Sequence, residues 1–118
     1  MHIDELTKLV VDALDEMKAV DVRVLDVRDR SSFTDVMVIA SGTSSRHVKA
    51  MADNVMMKAK KSGVALLGSE GERTAEWILV DFGEVVVHVM QPQIRDFYNL
   101  EKLWSTGEQD GAERMKAH

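Results

Sequence analysis

Residues 77–90 read Trp-Ile-Leu-Val-Asp-Phe-Gly-Glu-Val-Val-Val-His-Val-Met, two apolar runs rich in β-branched residues and separated around Gly83. Such runs suit a pleated, half-buried surface, and the short connection leaves room only for a tight antiparallel hairpin. A two-residue turn at Phe82 and Gly83 would set Asp81 opposite Glu84, Leu79 opposite Val86 and Trp77 opposite His88. Side chains alternate across a strand, so one face carries Ile78, Val80, Val85, Val87 and Val89, uniformly aliphatic and destined for a core. The other face holds Trp77, Leu79, Asp81, Glu84, Val86, His88 and Met90. A mixed face of this kind has two readings. Either a helix covers it, with Trp77 filling core volume and His88 hydrogen-bonded beneath, or it stays open as a protein-binding patch anchored on an aromatic residue.

Upstream of the hairpin, Leu6, Leu9, Val10, Ala13, Leu14 and Met17 recur at the three-and-four spacing of a helix face, with Asp4 and Glu5 suited to its N-terminus. Val22–Val27 reads as a strand, Asp29–Ser32 as a turn, and the nearly all-apolar Asp35–Ala40 as a central strand buried on both faces. Ser41 and Gly42 break that strand, and Thr43 to Ser45 offer hydroxyls to cap a second helix. Its apolar positions are Val48, Met51, Ala52, Val55, Met56 and Ala59, and its C-terminal end carries Lys58, Lys60 and Lys61 before the terminator Gly63. Val64–Leu67 is expected to be a short strand and Gly68–Thr74 a polar loop. Pro92 can open a last short helix, and Ile94, Phe97, Tyr98, Leu100, Leu103 and Trp104 carry the remaining bulky side chains. This order predicts an α/β fold with a mixed β-sheet of about five strands and helices packed mainly on one face. A single domain is expected over residues 1–105, and a flexible C-terminal tail over 106–118.

The 118-residue chain is 45% hydrophobic and 30% charged, the balance of a globular protein with one core. It has no cysteine, which removes disulfides, thiolate metal sites and cysteine nucleophiles together. The first residues lack the pattern of a secretory signal and no segment has the length of a membrane span, so a cytoplasmic location and no membrane partner are expected. A net charge of -5 argues against a general grip on phosphate backbones and suits a basic protein partner.

Catalytic constellations are weaker. The Ser41 to Ser45 loop lies between a strand and a helix N-terminus, where backbone N–H groups could hold a phosphate. It nevertheless lacks the spacing of a phosphate loop or a dinucleotide fingerprint. A nucleotide-binding or nucleotidyltransferase enzyme is therefore the alternative reading, and helix capping the simpler one. Asp26, Asp29, Asp35, Asp81 and Glu84 supply no Asp-x-Asp pair for two magnesium ions, and His2, His47, His88 and His118 are scattered. No metal and no cofactor are expected.

Four blocks resemble the ribosomal silencing factors of the Iojap family: TDVMVIASGTSSRHV at 34–48, EG at 70–71, WILVDFGEVVVHVM at 77–90 and RDFYNLEKLW at 95–104. The resemblance implies a nucleotidyltransferase-like α/β fold without transferase activity. It also implies a partner, the large ribosomal subunit, bound through ribosomal protein fourteen so that the small subunit cannot join. Read onto this sequence, it directs attention to Trp77 as hydrophobic anchor, Leu79 and Met90 as flanking contacts, and Asp81 and Glu84 as partners for Arg or Lys. His88 would be a supporting polar group, with Arg95 and Tyr98 in a second tier. An exposed Trp77 face would also be compatible with a homodimer of the free protein, whereas direct sequence-specific binding to nucleic acid is not expected.

Overall fold

The computed structural model describes residues 1–29, 31, 34–100 and 102. Its elements are α1 (Ile3–Glu16), β1 (Val20–Asp26), β2 (Val36–Ser41), α2 (Ser45–Lys61), β3 (Gly68–Glu70), β4 (Trp77–Asp81), β5 (Val85–Met90) and α3 (Pro92–Tyr98). The five strands form one mixed sheet in the order β1-β2-β5-β4-β3. Only the β2–β5 pairing is parallel. The mixed sheet predicted from the element order is therefore present, with the apolar strand β2 buried along its whole length between β1 and β5. Leu103, Trp104 and the expected tail over 106–118 lie outside the described residues.

One face of the sheet carries the main core. Val36, Val38, Ala40, Ile78, Val80, Val85, Val87 and Val89 meet Leu6, Val10, Ala13 and Leu14 of α1 and Val48, Met51, Ala52, Val55 and Ala59 of α2. Fully burying a single Val, Leu or Ile is worth about 1.5–3 kcal/mol, so this layer dominates the favourable side of folding. Both helices start on side-chain caps. The His2 ring accepts from the Asp4 N–H while Glu5 accepts from the His2 N–H, a reciprocal box. Ser44 Oγ accepts from the His47 N–H. The His47 ring then joins the two helices: Nδ1 accepts from the Thr43 N–H, and Nε2 donates to the Met17 carbonyl at 2.6 Å.

The opposite face has a smaller cluster of Val27, Met37, Ile39 and Met90, packed by Leu25, Trp77, Ile94 and Leu100. Pro92 starts α3 and Asn99 ends it in the left-handed region (φ 50). The helix is pinned by Arg95, whose Nη1 donates to Ser41 Oγ at 2.8 Å and whose Nη2 lies 3.5 Å from Asp21.

Two sequence expectations change. The third strand is Gly68–Glu70 rather than Val64–Leu67, and it lies within the stretch expected to be a polar loop. Val64 packs against the main core, and Leu67 is 69% exposed with its N–H donating to the Asp81 carbonyl; the ladder with β4 runs on from there, pairing Gly68 with Asp81 and Glu70 with Leu79. The hairpin register also slides by two residues. Trp77 faces Met90, Leu79 faces His88 and Asp81 faces Val86. Gly83 (φ +89) and Glu84 form the turn, closed by the Phe82 N–H donating to the Val85 carbonyl. Asp81 Oδ1 accepts from the Gly83 N–H at 2.7 Å, so the turn is set one residue later than expected. A slide of two leaves every side chain on its face. Among the described residues no helix is long and apolar enough to cross a membrane.

Candidate functional site

The mixed face is partly covered and partly open, and the boundary runs past Trp77. On the β5 side α3 closes over Met90, which is fully buried. On the β4 side Trp77 and Leu79 are only half-buried among the described residues. Two neighbours hold the indole, and a third ring backs one of them. Its Nε1–H donates to His88 Nδ1 at 3.0 Å, the Tyr98 ring lies tilted at 4.8 Å between centroids, and Phe97 meets Tyr98 edge-on at 5.0 Å. Tilted and edge-on aromatic pairs are favourable geometries that restrict ring motion.

His88 is 8% exposed, and burial pushes its imidazole down to about 4. A ring that accepts at Nδ1 while neutral must carry its proton on Nε2, so the bond from Trp77 and the neutral state support one another. Beside this pair lies a hollow of about 240 Å³ lined by Glu70, Gly71, Trp77, Leu79 and His88. Gly71 (φ +90) allows the chain to pass directly over the Trp77 backbone, because a Cβ there would strike the Trp77 carbonyl.

The remaining candidates separate clearly. Asp81 is half-buried with one oxygen committed to the turn, and Glu84 is exposed beside it. Both lie at the hairpin tip, roughly 13 Å along the strand from Trp77 at strand rise. Tyr98 is 53% exposed. Met90 and Arg95 are buried: Met90 lies under α3, and the Arg95 guanidinium is turned inward onto Ser41. The roles of direct contact expected for these two side chains give way to packing, since a partner would have to displace α3 to touch them. Residues outside the predicted set also reach the surface. Phe97 is 79% exposed next to Tyr98, and Glu70 and Gly71 wall the hollow. The Glu-Gly pair at 70–71 was a sequence signal for that wall, whereas nothing in the spacing of Phe97 marked it as outward-facing.

The Ser41 to Ser45 loop has its hydroxyls engaged within the fold. Ser41 accepts from Arg95, Ser44 caps α2 and Ser45 Oγ accepts from Gln91 Nε2 at 2.9 Å. No group of three or more His, Asp or Glu able to hold a metal ion occurs among the described residues.

A mixed five-stranded sheet with α1 and α2 on its main face and the aromatic group of Trp77, Tyr98 and Phe97 on the other defines an α/β scaffold. The family model described as "Ribosomal silencing factor during starvation" matches residues 1–118, and the chain belongs to that family. Ribosomal silencing factor RsfS of Haemophilus influenzae is 49% identical over 100 residues, covering 85% of this chain and 98% of its own length. The protein of that name in Chromobacterium violaceum is 47% identical over 104 residues, covering 88% and 85%. A crystal structure of a Chromobacterium violaceum protein superposes with a TM-score of 0.88 at 46% identity, covering 91% of this chain and 89% of that one. Proteins named Iojap are among the more distant relatives.

Proposed function

We propose that this chain docks on the large ribosomal subunit through the open part of the Trp77 face, on ribosomal protein fourteen, and by occupying that site keeps the small subunit from joining. It thereby represses translation in the cytoplasm, by occupancy rather than turnover. The observation that carries this reading is the half-buried indole of Trp77, held by His88 and Tyr98 on the sheet face opposite α1 and α2. Orienting an aromatic anchor before binding lowers the entropy lost on association, and such anchors concentrate binding energy. The acidic residues Asp81 and Glu84 and the net charge of -5 suit a basic protein partner. When no ribosome is available, the same aromatic surface is suited to meet a second copy, which would hide it from water.

Sedimentation of the chain with isolated large subunits tests the reading. Trp77→Ala should cost on the order of 2 kcal/mol or more, about a thirtyfold loss of affinity. Undiminished binding by the folded variant would remove Trp77 from the interface.

A further inference from the structure

The hollow beside Trp77 has a composition that selects its occupant. At about 240 Å³ it is below the roughly 300–1,000 Å³ of small-molecule sites and suits one side chain. Its walls are the indole of Trp77 and the aliphatic Leu79, and the carboxylate at its rim belongs to the exposed Glu70. A purely apolar occupant would match the walls while drawing water away from that carboxylate without pairing it, which is unfavourable. An acidic occupant would meet like charge, because residues 69–84 contain Glu70, Glu72, Glu76, Asp81 and Glu84 against Arg73 alone. The imidazole at the base, neutral because it is buried, adds no charge against a cation.

We propose that this hollow receives one long cationic side chain, Arg or Lys, from a basic protein partner, with its stem against Leu79 and the indole and its charged head beside the Glu70 carboxylate. The stem of such a side chain can lie on apolar surface while its head stays polar. The indole face attracts a cation further, and a guanidinium can pair with a carboxylate through two parallel hydrogen bonds. Gly71 forms part of the lining, and its lack of a Cβ lets the chain there lie directly against the Trp77 backbone. The proposal rests on the docking reading above and adds the chemistry of the side chain that enters beside the anchor.

The test uses the full chain in two measurements. With isolated large subunits, Glu70→Gln should weaken binding about two- to fivefold, and Glu70→Lys about tenfold or more, because it places like charges together. With the free protein, N-acetyl-arginine methylamide should shift the assigned Trp77 indole N–H and Leu79 methyl resonances saturably. That response should be weaker in Glu70→Gln and absent with N-acetyl-glutamate methylamide. If both Glu70 variants bind subunits like the parent while Trp77→Ala does not, or if N-acetyl-leucine methylamide outcompetes the arginine probe, the cationic occupant is wrong and the docking reading survives. If Trp77→Ala binds undiminished, the docking reading falls and the proposal falls with it.

Discussion

The two faces of the same hairpin have opposite fates. On one, Ile78, Val80, Val85, Val87 and Val89 are completely buried. On the other, burial declines from Met90 and His88 through half-buried Trp77, Leu79 and Val86 to exposed Glu84. The strands are common to both faces, so the difference comes from what lies above them. Among the described residues the first face has helices of 14 and 17 residues and the second has α3, of 7. Seven residues of helix extend about 10 Å, whereas five strands span roughly 19 Å. The short helix can therefore cover one side of its face, and among the described residues Trp77 and Leu79 on the β4 side stay half-buried. A surface kept half-open in this way can be apolar enough to bind and still be ordered by the covered half.

The contrast is broken most directly at adjacent residues of β4. Ile78→Ala, on the closed face, should lose about 2–5 kcal/mol of stability, measured by urea unfolding with an unchanged slope. Leu79→Ala, on the open face, should lose clearly less; equal losses would mean that the two faces are packed alike. A smaller effect belongs to His88. Its folded form stays neutral down to about 4, while the unfolded ring titrates near 6.5. Between these values the unfolded chain binds the extra proton, so stability contributed by the neutral ring is full above about 6.5 and falls as pH drops toward 4, by up to about 3 kcal/mol. His88→Gln, which can still accept from the indole, should flatten that slope. Identical pH dependence in parent and variant would show that burial of this ring is not what links the Trp77 face to pH. The smallest change is expected at Phe97→Ser, on the outermost aromatic residue, with unfolding free energy altered by no more than about 0.5 kcal/mol. A larger loss would mean that the aromatic row on α3 supports the fold as well as presenting a surface.

The two faces of the hairpin are legible in the residues because strand alternation is insensitive to a register shift of two. The turn falls at Gly83 and Glu84 instead of Phe82 and Gly83, yet the slide is an even number and each side chain kept its face. The location of β3 was not legible in the same way. Val64 to Leu67 has the better strand composition, but pairing was decided by which backbone reached β4. Met90 and Arg95 show a second limit. Alternation places Met90 on the mixed face and cannot say that Ile94 and Leu100 cover it, and a charged side chain near an aromatic one reads as surface until its guanidinium is found against Ser41.

The sequence by itself determined the elements, the central strand β2, the two faces of the hairpin and the grouping of Trp77 with Leu79 and His88, because these follow from periodicities along a chain. Tertiary structure alone decided which part of the mixed face α3 leaves open, that Trp77 donates to His88, and that Glu70 and Gly71 close a hollow beside the indole. Those outcomes depend on helix length against sheet width and on contacts between residues far apart in sequence, neither of which a local repeat records.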